Sequence, residues 1–167
     1  MAYVITNHIL GPQPISEVSS TQRHPLGTIV QAYDDAATAY GAGEFIYLKG
    51  VTSGTDNSWV SYNLDDGSTT LLVANAIGPV GIMRAALVAN TYGWVQISGK
   101  AIGKALTGYV DNALVFATAT AGSVDDAVVD GDMVHLAKGA SALDTPSAGL
   151  AEFEISRPYC DDITTND

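Results

Sequence analysis

Short runs of β-branched and aromatic residues, separated by glycine and Asp or Asn turns, dominate the chain from residue 27 onward. Such runs favour strands over helices. In the run 151–155 apolar and polar residues alternate, which places Phe153 and Ile155 on one face. The run 80–89 contains alanines that suit a helix, but Pro79 and Gly81 near its start favour a strand. Further strands are predicted at 28–33, 44–51, 59–62, 69–73, 94–98, 113–116 and 132–136.

Many short strands joined by glycine-rich turns predict an all-β fold, a small β-sandwich or barrel with an extended N-terminal arm. The 167 residues fit one domain that can bury a sizeable core. Three zones of different composition are expected. They are an arm at 1–25, a β core at 26–158 and an acidic C-terminal tail at 159–167.

The first 25 residues show little alternation and contain three prolines, which predicts an extended segment that does not pack as a regular element. The apolar residues of this segment are too sparse to build a core alone. We therefore expect the folded core to begin near Leu26 and proteases to trim the segment before it. The residues that would make its contacts with a partner are Ile9, Leu10, Pro12, Pro14, Ile15 and Val18.

A net charge of -11 with only seven lysines and arginines argues against nucleic acid as a partner, because affinity for phosphates comes from basic side chains. No stretch approaches the ~20 apolar residues that cross a bilayer, so no membrane partner is expected. The first ten residues carry no basic residue and no long apolar run, which argues against a secretory signal. Synthesis in the cytoplasm of a host cell is the expectation.

Motifs of catalysis and of cofactor binding are poorly matched. The segment 93–101 resembles a phosphate-binding loop, but its glycine spacing is wrong and Ala101 replaces the Ser or Thr that would hold Mg²⁺. The acidic run 125–132 lacks the spacing of an EF-hand, although a metal in this loop stays open as an alternative. We expect no catalytic residue, no metal and no cofactor. A small hydrolase also stays open, because a Ser-His-Asp set converges only in space.

Cys160 is the only cysteine, so the chain cannot form an internal disulfide. Aromatic residues in strands are more often core or subunit contacts than ligand platforms. Tyr92 and Trp94 share one face of their predicted strand. The expected core or subunit contacts are Phe45, Tyr47, Tyr92 and Trp94. A carbohydrate-binding platform formed by exposed Trp or Tyr rings is the alternative.

Two segments resemble a known family. The first is 89–101, with Tyr-Gly-Trp-Val-Gln at positions 92–96, and the second is 114–127, with Thr-Ala-Gly-Ser-Val-Asp-Asp-Ala at positions 120–127. Together they resemble tailed-bacteriophage head decoration proteins, also called capsid cement proteins. The segment 43–50 looks like the first core strand of that family. The resemblance covers about residues 27–137.

The resemblance implies a virion structural protein without enzymatic activity. Such a protein sits on the outer surface of an icosahedral head, usually as a homotrimer, and stabilises the head by binding the major capsid protein lattice. In our working hypothesis the N-terminal arm clamps onto the capsid protein, since an arm that orders on binding can cover a large area. A host- or glycan-binding accessory module of a head fibre or tail is the alternative function.

Overall fold

The computed structural model describes residues 3–5, 13–36, 40–140 and 149–163. Within these ranges the chain has no helix, and the predicted all-β fold is confirmed. The strands are β1 (Tyr3–Ile5), β2 (Ile29–Asp34), β3 (Ala42–Lys49), β4 (Trp59–Tyr62), β5 (Thr69–Leu71), β6 (Gly78–Met83), β7 (Tyr92–Lys104), β8 (Leu114–Ala117), β9 (Val124–Asp125), β10 (Met133–Gly139) and β11 (Leu150–Cys160).

All strand pairs are antiparallel, and the strand order is β1-β2-β3-β7-β6-β11-β10-β8-β9, with β4 paired to β5 and β6. The long strand β7 lies at the centre, because it pairs with β3 on one edge and with β6 and β11 along the other. A parallel bridge between Ala105 and Val124 connects the end of β7 back to β9. Strands β7, β11, β10, β8 and β9 therefore enclose one side of the core, as in a partly closed barrel.

The core consists of three apolar clusters that lie along this sheet. The largest cluster lies between β4, β6 and the partly closed barrel of β7, β11, β10, β8 and β9. Within it the rings of Trp59 and Phe153 pack edge to face, with their centroids 4.9 Å apart. A second cluster lies around Leu48, Leu87 and Val95. The third consists of Ile15, Val30, Ala32, Phe45, Tyr47 and Trp94.

Strand β7 is longer than predicted, because it does not end at Gly99 but continues to Lys104. Gly99 has a φ of 98°, and a Cβ atom there would lie 2.6 Å from the Ala42 carbonyl oxygen. Only glycine tolerates both conditions. The strand thus continues through an irregularity at this glycine, where pairing with β3 ends on one edge and the partner on the other edge changes from β6 to β11.

The N-terminal boundary at residue 25 needs correction for the described part of the arm. Residues 13–25 pack on the sheet, with Gln13, Ile15 and His24 all buried. Ser19 and Tyr92 exchange two backbone hydrogen bonds of 3.0 and 2.8 Å, which attach this segment to β7. Strand β1, in the same arm, pairs with β2. Residues 1–2 and 6–12 lie outside the described residues.

The C-terminal boundary of the core, predicted at residue 158, also needs correction. The predicted tail begins at Tyr159, but β11 extends to Cys160, whose side chain is buried in the largest cluster. The strand passes Pro158 through a bulge at Arg157, which has a φ of 53°. Residues 164–167 of the predicted tail lie outside the described residues. Among the residues that are described, no helix is long and apolar enough to cross a membrane.

Candidate protein-binding surface

The four aromatic residues expected at the core or a subunit contact lie together. Phe45, Tyr47 and Trp94 are completely buried, and Tyr92 packs against them while half-buried. The ring centroids of Tyr47 and Trp94 are 5.0 Å apart, and those of Tyr47 and Tyr92 are 6.5 Å apart. Three of the four are thus core residues within one chain, and Tyr92 alone keeps a substantial exposed fraction.

Gln13 is the polar centre of this cluster, and sequence reasoning missed it. Its carbonyl oxygen accepts a 2.8 Å hydrogen bond from the Trp94 indole, and its Oε1 accepts a 2.9 Å bond from the Tyr47 hydroxyl. Its backbone N–H donates to Nε2 of His24 at 3.2 Å. Buried polar groups need such partners, so Gln13 is held tightly. A lone glutamine between two prolines gives no sequence signal for this role.

The Tyr-Gly-Trp-Val-Gln strand docks the N-terminal segment on the sheet. A Cβ at Gly93 would lie 2.5 Å from a Leu87 methyl group and 3.3 Å from the Glu17 carbonyl oxygen, so glycine allows both to approach. The Gln96 side-chain amide donates to the carbonyl oxygens of Ser98 and Lys100 at 3.1 and 3.0 Å. These bonds support the backbone beside the Gly99 irregularity. The motif therefore has a structural role.

Of the residues predicted to contact a capsid, the described ones are Pro14, Ile15 and Val18, and these three do not form one exposed surface. Ile15 is 2% exposed and belongs to the third cluster, and Val18 packs against the second. The Ile15 side chain is therefore not available to a partner, and the Val18 side chain is partly buried. Pro14 is exposed. Ile9, Leu10 and Pro12 lie outside the described residues.

The segments considered for chemistry have structural roles in the described residues. The segment resembling a phosphate-binding loop is extended strand β7. In the acidic run 125–132, the Asp126 carboxylate accepts a hydrogen bond from the Val110 backbone N–H, and the Asp132 carboxylate accepts one from that of Asn75. Across the described ranges, no three His, Cys, Asp or Glu side chains lie close enough together to hold a metal.

One His–Asp pair is partly exposed. Nε2 of His135 lies 3.2 Å from the Asp161 carboxylate, and its ring stacks on Tyr159 at 4.8 Å. Among the described residues, no serine, threonine or cysteine lines the surface groove that His135 borders. Cys160 lies in the core, where burial, together with Asp132 and Asp161, raises the pKa of the thiol to about 12. A neutral buried thiol is a poor nucleophile.

A buried ion pair between β7 and β11 was also missed. Glu152 accepts a 2.6 Å hydrogen bond from the Tyr40 hydroxyl and lies 2.9 Å from Lys100 Nζ, and its side chain is only 1% exposed. Glu154, on the same strand, is half-exposed and pairs with Lys138 on the surface. Alternation along 151–155 predicts that both glutamates face solvent. The structure buries Glu152 because Tyr40 and Lys100 satisfy its charge.

An apolar groove lies on the outer face of β8 and β10. Val115 and Ala117 of β8 point into the core, so Leu114 and Phe116 point outward. The groove has a volume of about 340 Å³. We call it the apolar groove, and its apolar lining consists of Leu114, Phe116, Val128, Val129, Met133 and Ile163.

Four of these six side chains are exposed to solvent, with Val128 at 80% and Ile163 at 63%. Exposed apolar side chains are normal when scattered singly, but a concave cluster of them marks a binding surface. The polar groups at its rim are Asp130, Asp161 and His135. The arrangement can bind an apolar protein side chain, and it places carboxylates beside that side chain.

No protein-family model matches the chain, and neither a curated protein nor a solved structure matches it.

Proposed function

We propose that the protein is a head decoration protein of a tailed bacteriophage, which binds the outer surface of the major capsid protein lattice as a homotrimer and stabilises the head. It is made in the host cytoplasm and acts in the virion without catalysing a reaction. The proposal begins from the resemblance of segments 89–101 and 114–127 to that family.

The observation that carries the proposal is the role of the Tyr-Gly-Trp-Val-Gln strand. This strand lies at the centre of the sheet, and it holds the N-terminal segment against the core through the Trp94 indole and the backbone of Tyr92. The second segment of the resemblance meets the end of the same strand at the Ala105–Val124 bridge. Such an architectural use of the motifs agrees with a structural protein.

The surface supports a protein partner over a sugar. Trp59 and Trp94 are both completely buried, so neither ring is available to stack on a glycan. The apolar groove offers contact area of the kind that protein interfaces bury at their centre. This weighs against a glycan-binding module that uses tryptophan, and Tyr33 and Tyr159 are the exposed aromatic residues that such a module would need instead.

The test is to mix the purified protein with undecorated, expanded heads of the phage that encodes it and to image the product. We expect symmetric density on the outer surface at local threefold positions, and heads that survive heating or low salt better than bare heads. Heads that stay bare at saturating protein would contradict the proposal. The native mass of the free protein tests the trimer, and a stable dimer would contradict that part.

A further inference from the structure

We propose that the apolar groove is the capsid-facing surface, and that it receives an apolar side chain of the capsid protein that is flanked by lysine or arginine. This assignment rests on the proposed function and names the partner chemistry of that surface. The groove, its charge and the distribution of basic residues over the rest of the chain are the observations behind it.

The groove is apolar at its centre and acidic at its rim. Leu114, Val128 and Ile163 offer exposed apolar surface, while Asp130 and Asp161 line the same groove. No lysine or arginine of the described residues is part of its lining. An apolar side chain that enters the groove therefore brings its neighbours close to carboxylates, which favours basic neighbours and disfavours acidic ones.

A second copy of this chain is a poor occupant, because it has few basic groups to offer. Of the seven lysines and arginines, Arg84 is buried, and four more already pair with carboxylates of their own chain. These four ion pairs are Arg23–Glu17, Lys100–Glu152, Lys138–Glu154 and Arg157–Glu44. In addition, two grooves that faced each other would bring their acidic rims together.

The net charge of the whole chain also favours a basic partner. With 18 acidic and seven basic residues, the chain attracts a basic surface at long range. The trimer contact of the proposed function then uses a different face. The groove is left for a partner of opposite charge, and attachment at many equivalent lattice sites lets modest single-site affinity suffice.

The apolar part is tested by the double variant Val128→Ser/Ile163→Ser. Because both side chains are well exposed, the variant should fold with an unchanged unfolding midpoint. We expect its binding to undecorated heads, measured by co-sedimentation, to weaken by about tenfold or more, since central apolar contacts dominate interface affinity. The matched control is Val73→Ser/Ile77→Ser, which removes the same residue types from exposed positions outside the groove.

The charged part is tested by Asp130→Asn/Asp161→Asn, which removes both rim carboxylates, with Asp56→Asn/Asp65→Asn as the control that removes the same charge elsewhere. Asparagine at position 161 keeps a side-chain oxygen that can accept the hydrogen bond from the Ile163 backbone N–H. We expect the rim variant to bind heads more weakly than wild type at low salt and to lose part of the salt dependence of binding. The control should keep the wild-type salt dependence.

The outcomes separate this assignment from the proposed function. If wild-type protein fails to bind heads, the proposed function fails, and the assignment of the groove fails with it. If wild type binds and Val128→Ser/Ile163→Ser binds equally well, the groove assignment alone is overturned. A change in the native mass of the free Val128→Ser/Ile163→Ser variant would show that a second copy occupies the groove, and would overturn it too.

Discussion

Replacement of Trp94 by alanine perturbs the packing of the N-terminal segment most directly. The ring is completely buried, contacts Tyr47 and His24, and donates its indole N–H to the Gln13 carbonyl oxygen. Removing a buried Trp side chain costs about 3–5 kcal/mol of unfolding free energy. Domains are stable by only about 5–15 kcal/mol, so Trp94→Ala should lower the urea midpoint strongly.

A second variant separates the hydrogen bond from the packing. Trp94→Phe keeps an aromatic ring in the core but leaves the Gln13 carbonyl oxygen buried without its indole donor. An unsatisfied buried polar group costs about 1–3 kcal/mol, so we expect a loss in that range. Tyr33→Ala is the control, because Tyr33 is an exposed aromatic residue on β2 and its removal should change stability by less than about 1 kcal/mol.

Two measurements check this reasoning. Urea unfolding followed by circular dichroism gives the free energies, and trypsin cleavage after Arg23, an exposed site within the docked segment, reports whether residues 13–25 have loosened. We expect faster cleavage at Arg23 in both Trp94 variants and wild-type cleavage in Tyr33→Ala. If Trp94→Ala kept the wild-type unfolding free energy and cleavage rate, the structural interpretation of this strand would be refuted, most clearly if binding of a soluble ligand were lost instead.

Two further predictions concern buried ionisable groups. Glu152→Ala should destabilise the protein by about 3–5 kcal/mol in urea unfolding, because it leaves the mostly buried charge of Lys100 without its carboxylate. Glu154→Ala, the control, breaks a surface pair on the same strand and should cost less than about 1 kcal/mol. Equal losses in the two variants would contradict the difference between a buried and an exposed pair. The Cys160 thiol should resist maleimide at pH 8 in the folded protein and react after unfolding. A reaction of the folded protein at pH 8 would show that the thiol is exposed. Because folding raises the pKa of the thiol from 9.0 to about 12, the contribution of this group to stability is complete below pH 9 and is lost as the pH rises toward 12.

Local patterns predicted the strands well where the chain alternates or is rich in β-branched residues. Strand β4 at Trp59–Tyr62 lies where it was predicted, and Phe153 and Ile155 of β11 share the buried face that their alternation indicated. Strand ends were less predictable. Gly99 and Pro158 normally interrupt strands, but bulges carry β7 and β11 past them, and a bulge depends on neighbouring strands that a local pattern does not contain.

Polar residues with structural roles were the least predictable. Gln13 and Glu152 sit in sequence surroundings typical of exposed residues, between prolines and in an alternating strand respectively. Each is buried because distant residues supply its partners: Trp94 for Gln13, and Tyr40 for Glu152. Those contacts span 81 and 112 positions along the chain, so they follow from topology and not from local pattern.

The apolar groove could not be predicted from the sequence for a related reason. Leu114 to Ala117 is apolar at every position, a pattern that predicts a strand buried on both faces. In this fold the core covers only the Val115 and Ala117 face, and the described residues leave the other side as a groove that keeps Leu114 half-exposed. A single chain gains nothing in folding from apolar residues that stay in water. Phe116, on the same face, is only 4% exposed, so Leu114 is the residue of this strand that the proposed contact with a capsid protein would cover.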